Sequence, residues 1–317
     1  MSLPTDEERG NDRVGPHIDK LVDWLKIPYN STQFEASNPR WADAIQTVER
    51  LQRQIEDYIN REVLSKMSWS ELVPLVQALC TLCFQDKFMK QVHNWDFGWL
   101  VRARPEEVQE GEDAEYELIF GWMHLNHTDG KTTLRLHSHA QFHPNAIGLL
   151  GTMLHEMVHV FIYNCRKVGE LDVRTSQNDA AYSVFDKLDG QTGHGYYFLR
   201  LAREVETRFN EIFSLKSIDL GRFEAADYEC QETGNLSDMA YFTQMFGDNS
   251  PGQEFAARIV WAGIKQRHRE RPNPERQATV VNPDEIDLSL EDNEDATAGV
   301  ERIGSSSAKR VVPRSNA

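Results

Sequence analysis

Cysteine is scarce in this sequence, and long apolar runs are missing. The four cysteines among 317 residues are too few for a disulfide-stapled secreted scaffold, which favours a reducing, intracellular compartment. No stretch of eighteen apolar residues suggests a transmembrane helix, so no membrane partner is expected. The first fourteen residues are polar and acidic, unlike a signal peptide. We therefore expect a nuclear or cytoplasmic protein that is not secreted.

Basic residues are also under-represented: 34 Lys and Arg stand against 50 Asp and Glu, a formal net charge of −16. So acidic a chain is a poor general partner for a phosphate backbone, which argues against broad, non-specific DNA binding. Aromatic residues end at Trp261, and residues 271–317 are rich in Pro, Asn, Asp, Glu and Ser. This composition predicts a disordered acidic and polar tail. Residues 1–14 are expected to be disordered as well.

The rest of the chain has the periodicity of a folded α+β protein. Apolar residues at three- and four-residue spacing predict helices, and two extended runs within 116–142 surround Asp129-Gly130, a hairpin signal. Residues 166–192 are polar and are predicted to be irregular. We expect a helical N-terminal part packed with a small antiparallel sheet. The helices are predicted at 17–27, 38–64, 68–84, 143–165 and 195–213.

One helix carries the strongest chemical signal, His155-Glu156-Met157-Val158-His159. Histidines four apart lie on one helical face and can aim at one zinc ion, while Glu156 lies about 100° round the helix as a candidate general base. The alternative is a fortuitous HExxH in a helical scaffold that binds no metal. The helix is otherwise strongly apolar, and burying His-Glu-His without a partner would cost several kcal/mol. That cost favours a metal.

A catalytic zinc site uses three protein ligands and keeps one position open. The pattern HExxHxxGxxH fails here, because Ile162 and Cys165 occupy its last two defined positions. His194 stands between two glycines at the start of a helix, where the backbone can turn tightly. It is the preferred third ligand. Glu211 and Glu206 remain alternatives.

Two segments together resemble the SprT-like zinc metalloprotease family, which includes the Spartan-type DNA–protein crosslink proteases. They are LLGTMLHEMVHVFIYN (149–164) and GHGYYFLRLAR (193–203), with Phe198 in the place of a family aromatic. The resemblance covers roughly residues 70–215 and implies a zincin-like fold. It implies Zn²⁺ held by His155, His159 and His194, with Glu156 as catalytic base. The 34-residue gap between the second and third histidines is long for the family. The C-terminal zinc ribbon of many members is missing.

These observations predict a zinc metalloendopeptidase that hydrolyses peptide bonds in protein substrates, including chromatin or DNA-bound proteins as the resemblance implies. A polypeptide is expected to add to the edge of the strand at 132–139. The alternative is a non-catalytic, zinc-stabilised protein- or DNA-binding module. The expected organisation is a helical region at 15–69 and a metalloprotease domain with a helical extension at 70–265.

Other motifs have structural interpretations that we prefer. Cys80 and Cys83 form a CxxC in a buried helix and are predicted to be core thiols. Tyr196 or Tyr197 could donate a hydrogen bond to a reaction intermediate, but aromatic packing is the favoured role. His137 and His139 share a strand face and could bind metal, but the preferred interpretation of His137, His139 and His143 is polar strand and loop residues, one of them lining the cleft.

Overall fold

The computed structural model describes most of the chain up to residue 233. The described residues are 5, 12–87, 92, 95–100, 121–125, 131–138, 143–168, 179–190, 192–214 and 218–233. The predicted tail at 271–317, the Asp129-Gly130 turn and His139 lie outside them. The same is true of most of residues 1–14.

The N-terminal half is helical. Its amphipathic helices bury one face each, and in the longest of them the buried residues recur every three or four positions. Ser68 begins the last one with a capping box, in which the Glu71 side chain accepts from the Ser68 backbone N–H. The helices are α1 (Gly15–Leu25), α2 (Thr32–Ser37), α3 (Trp41–Asn60) and α4 (Trp69–Cys83), with a 3₁₀ turn at Leu64–Lys66.

The sheet is mixed. It consists of β1 (Asp96–Leu100), β2 (Gly121–Leu125) and β3 (Thr132–His137) in the order β1-β3-β2. β2 and β3 pair antiparallel, whereas β1 pairs parallel to β3. The prediction of an antiparallel sheet is therefore wrong for the sheet as a whole. The hairpin signal concerns only neighbouring strands, and nothing local in DFGWL indicates that it joins a strand over thirty residues later.

β3 is the central strand. Its backbone pairs with β1 on one side and with β2 on the other. The predicted docking of a substrate on the edge of residues 132–139 is therefore wrong, because both edges of that strand are already hydrogen-bonded. Within the described part of the sheet, the outer edges belong to β1 and β2.

The C-terminal half contains α5 (Ala146–Val168), α6 (Asp179–Asp189), α7 (Tyr196–Phe213) and α8 (Arg222–Thr233). Helix α6 lies in the segment predicted to be irregular, so that prediction is wrong there. Asp is frequent in this helix, but its apolar residues Val184, Phe185 and Leu188 form a buried face. Packing of this face stabilises a helix that composition alone does not indicate.

Helices α5 and α7 form the centre of the molecule. α5 contacts β2, β3, α1, α3 and α7, while α7 also contacts α1, α4, α6 and α8. One continuous cluster of buried apolar residues runs from Val14 to Ala226, so the N-terminal helices share a core with α5. By length and composition Ala146–Arg166 could cross a membrane, but 78% of its most apolar window is buried inside the protein. The observed class is mostly helical with a small sheet.

The chain enters this core before α1. Val14 is fully buried, and Asp12 accepts a 2.6 Å hydrogen bond from the Tyr197 hydroxyl. At the other end of α1, the buried Arg208 of α7 donates to the backbone carbonyls of Trp24 and Leu25. These contacts fix α1 on the helix that follows His194.

Candidate metal centre

His155, His159 and His194 meet in the interior. The first two project from successive turns of α5, and the third lies two residues before α7. Their Nε2 atoms form a triangle in which every side is 3.2 Å. Two nitrogens bound at about 2.0–2.1 Å to a tetrahedral zinc would be about 3.3–3.4 Å apart. The triangle therefore has the size that such an ion requires.

The protonation of His155 is set by a backbone carbonyl. Its Nδ1 lies 2.7 Å from the oxygen of Leu220. A carbonyl oxygen only accepts, so Nδ1 must carry the proton and donate it. In the neutral ring the Nε2 atom is then left with a lone pair, which faces the centre of the triangle.

His194 is fixed in the same tautomer by two residues. The Thr192 hydroxyl lies 3.0 Å from His194 Nδ1 and 2.5 Å from Glu229 Oε2. Because the carboxylate accepts, the hydroxyl donates its proton to Glu229 and its oxygen accepts from His194 Nδ1–H. The Nε2 atom of His194 consequently also presents a lone pair to the centre.

These tautomers make the cluster suited to a cation. The Nε2 atoms of His155 and His194 lie 3.2 Å apart with no proton available for either to donate, so this contact is repulsive as it stands. A divalent ion bound by all three nitrogens would replace this repulsion with coordination. Three imidazoles with a further position open are the ligand set of catalytic zinc sites. Among the described residues, this trio is the group of side chains spaced to hold a metal.

Burial keeps the ligands neutral. Desolvation lowers the pKa of His155 to about 4, against the opposing effect of its bond to Leu220. The pKa values of His159 and His194 are also lowered, by desolvation first and then by the neighbouring imidazoles. At neutral pH all three rings are therefore uncharged, which is the form of imidazole that binds a metal.

The surroundings fix the geometry of the rings. Gly193 has φ +77°, a conformation that side-chain-bearing residues rarely adopt, and so turns the chain to present His194. The buried Phe198 lies beneath the cluster, with ring centroids 4.6, 4.7 and 4.8 Å from those of His155, His159 and His194. This buried aromatic ring excludes water from the side of the histidine cluster that it contacts.

Glu156 follows His155 in the sequence and is not part of the histidine cluster. Its side chain is 1% exposed and projects towards the first residue of β2. A Cβ placed on Gly121 would lie 3.2 Å from Glu156 Oε1. The carboxylate is thus held between α5 and β2.

The alternative ligands have other roles. Glu206 accepts from the Leu220 backbone N–H at 2.9 Å and from Arg222 Nε at 2.6 Å, and so orders the loop whose carbonyl holds His155. Glu211 is exposed on α7. Among the described residues, neither glutamate is part of the cluster of three histidines.

The remaining motifs are structural in the described residues. Cys80 and Cys83 are buried free thiols, and burial raises the pKa of Cys83 to about 12, which suits core packing. The Tyr197 hydroxyl is engaged by Asp12. Among the described residues, the buried His137 and His143 are not part of the cluster formed by His155, His159 and His194.

Sequence reasoning missed the residues that support the ligands. Leu220 acts through its backbone, which no side-chain pattern reveals, and Glu229 follows His194 by 35 positions with no motif to link them. Gly151 offered a faint signal as a glycine inside a buried helix. A Cβ there would come within 2.5 Å of the Asp219 carbonyl oxygen, so glycine allows the 218–221 loop to approach α5.

Comparisons with family models, with curated proteins and with solved structures found no match for this chain.

Proposed function

We propose that this protein is a zinc-dependent endopeptidase that hydrolyses peptide bonds in protein substrates. The observation that carries the proposal is the 3.2 Å triangle of three Nε2 atoms with a buried glutamate next to it in sequence. The proposal includes a zincin-like fold, which the sequence resemblance to SprT-like proteases implies. The proposed ligands are His155, His159 and His194, and the proposed base is Glu156.

Zinc, when bound, would supply a Lewis acid that polarises both the scissile carbonyl and the attacking water. The chain's own contribution is proton transfer. Glu156 accepts a proton from the water as its oxygen bonds to the carbonyl carbon. The same carboxylic acid then delivers that proton to the amide nitrogen as the carbon–nitrogen bond breaks. The sum is addition of one water across one peptide bond, with Glu156 regenerated.

The substrate would lie along β2. Helix α5 contacts β2, and the Glu156 carboxylate faces Gly121 at the start of that strand. The outer side of β2 has no partner among the described strands, so an extended polypeptide could pair with it by strand addition. Main-chain hydrogen bonds would hold the peptide while its side chains set the preference. The net charge of −16 favours protein substrates over a direct grip on DNA.

A second candidate is a non-catalytic, zinc-stabilised binding module. It is favoured by the depth of the site, because the three histidines are 6%, 7% and 0% exposed. A metal with so little access to solvent would stabilise the fold without turning over a substrate. Substitution of the base separates the two candidates.

The test compares zinc content and proteolysis in Glu156→Gln and in wild type. The variant should keep a single bound zinc, because Glu156 is not a ligand, and should lose cleavage of unfolded protein substrates by about 100-fold or more. Glu211→Gln, an exposed glutamate on α7, is the matched control and should cleave as wild type does. Zinc binding with equal cleavage in Glu156→Gln would refute the assigned base. Zinc-loaded wild type that cleaves nothing would favour the binding module.

A further inference from the structure

Glu229 is a buried carboxylate on α8, far from the HExxH helix in sequence. Its side chain is 0% exposed. Both the backbone N–H of Thr192, at 2.8 Å, and the Thr192 hydroxyl, at 2.5 Å, donate to its Oε2. Removing a charged group from water is costly without such donors. The carboxylate therefore hydrogen-bonds to Thr192, whose hydroxyl in turn hydrogen-bonds to His194.

The loop before α7 is shaped around this carboxylate. Gly190 has φ +85°, and a Cβ there would lie 2.6 Å from the Glu229 carboxyl carbon. No side chain at position 190 can coexist with the observed Glu229 position. The loop that presents His194 thus contains both a donor pair for the carboxylate and the space that the carboxylate needs.

The same C-terminal segment supports a second ligand. The Leu220 carbonyl accepts from His155, and Glu206 holds Leu220 in place. Residues 218–229 therefore provide the hydrogen-bond partner of His155 directly, and that of His194 indirectly, since Glu229 holds the Thr192 hydroxyl that accepts from His194. Fixed partners of this kind set the tautomer and orientation of a ligating imidazole and increase its basicity.

We propose that Glu229 is a positioning residue of the metal centre, which acts through Thr192 to orient His194 and to strengthen zinc binding. The proposal rests on the zinc site of the proposed function and is independent of peptide hydrolysis. Glu229 touches neither metal nor substrate. It aligns the Thr192 hydroxyl, and that hydroxyl accepts from His194 Nδ1–H.

The test measures zinc affinity by competition with a chromophoric chelator, without any peptide substrate. Loss of an outer partner typically weakens metal binding by 10–100-fold, so we expect about that loss in Glu229→Ala. Glu229→Gln keeps an acceptor oxygen for both Thr192 donors and loses the charge, so it should lie between Glu229→Ala and wild type. Glu204→Ala is the matched control. It removes a buried glutamate of α7 that pairs with Arg203, and its zinc affinity should equal that of wild type.

A second pair of variants separates positioning from folding. Thr192→Val keeps the shape of the side chain and removes the hydroxyl, so it should lose zinc affinity as Glu229→Ala does. Thr192→Ser restores the hydroxyl and should recover most of that affinity. The visible absorption of the Co²⁺-substituted protein, which reports ligand geometry, should change in Thr192→Val and return in Thr192→Ser. This pair decides the question if Glu229→Ala fails to fold.

Wild-type zinc affinity in folded Thr192→Val, or equal loss in Thr192→Val and Thr192→Ser, would overturn the proposal. So would a loss in Glu204→Ala as large as that in Glu229→Ala. A wild-type chain that binds no zinc removes both this proposal and the proposed function. A chain that binds zinc in the expected variant order and cleaves no peptide removes the proposed function alone.

Discussion

The helix α5 and the segment 218–229 contribute to the same site in different ways. α5 supplies two candidate ligands and a candidate base within five consecutive residues, so the proposed chemistry is visible in the sequence. The later segment supplies one backbone carbonyl and one carboxylate, and neither belongs to a motif. The candidate ligands are therefore specified by local sequence, whereas the hydrogen bonds that fix their protons are specified by the fold.

The largest effect should come from removing the ligand outside α5. His194→Ala should abolish stoichiometric zinc binding, with a larger loss than the roughly 10–100-fold cost of removing an outer partner. Elemental analysis of the purified variant checks this. If the α5 pair alone retained zinc with wild-type affinity, the two regions would not form one site.

The next effect tests the approach of the two regions. Gly151→Ala places a Cβ within 2.5 Å of the Asp219 carbonyl oxygen and should push the 218–221 loop away from His155. We expect a destabilisation of about 1–3 kcal/mol and weaker zinc binding. Urea unfolding and chelator competition measure the two quantities.

Gly148→Ala is the matched control on the same helix. The nearest atom to its added Cβ is at 3.6 Å, an ordinary contact. This variant should be neutral or slightly more stable, because alanine favours a helix by up to about 1 kcal/mol relative to glycine. Equal effects at positions 148 and 151 would remove the argument for close approach.

A smaller effect should appear at the junction of α5 with β2. Gly121→Ala brings a Cβ to 2.7 Å from Thr152 Cγ2 and 3.2 Å from Glu156 Oε1. Displacement of the base by a few tenths of an ångström should lower turnover about tenfold, with zinc content unchanged. In Gly98→Ala on β1 the three atoms nearest to the added Cβ, at 3.1–3.3 Å, all belong to the Arg135 side chain, and this variant should cleave normally. Loss of zinc in Gly121→Ala would contradict the separation of base from ligands.

Another effect is a pH dependence of the stability of the metal-free protein. Burial lowers the pKa of His155 to about 4, and those of His159 and His194 also lie below the ordinary value near 6.5. Below pH 6.5 the unfolded chain therefore binds protons that the folded chain does not. The free energy of unfolding should fall by roughly 1 kcal/mol per pH unit for each histidine as the pH falls towards 4.

Urea unfolding in the presence of a chelator, from pH 7.5 to 5, checks this sign. Above pH 7 these histidines should contribute no slope. A variant with one histidine replaced, such as His159→Gln, should show a shallower decline below pH 6.5. A stability that rises on acidification through this range would contradict the neutral, buried cluster.

The sequence predicted the helices well where an apolar face repeats over several turns. α3, α4, α5 and α7 begin and end within a few residues of the predicted bounds. The prediction was wrong for α6, where Val184, Phe185 and Leu188 are the buried apolar residues among the side chains described, and for the parallel pairing of β1, which depends on a distant strand. These elements owe their form to partners that a local pattern does not contain.

The candidate metal-binding residues could be predicted from the sequence for a similar reason. HExxH is local, and His194 was found from its two flanking glycines, so the three rings that the sequence indicated do lie together. Thr192 and Glu229 could not be found, because their importance comes from a hydrogen-bond chain that exists only after α7 and α8 pack. Their role is visible only in the folded structure.

The distance along the chain from His155 to Leu220, 65 residues, has a consequence for the order of events in the cell. A ribosome completes the HExxH helix well before it makes either outer support. A nascent chain that ends before residue 218 would have all three imidazoles, but neither the Leu220 carbonyl that fixes the proton of His155 nor the Glu229 carboxylate that acts on His194 through Thr192. We therefore expect tight metal binding to begin only after α8, which ends at Thr233, has been synthesised.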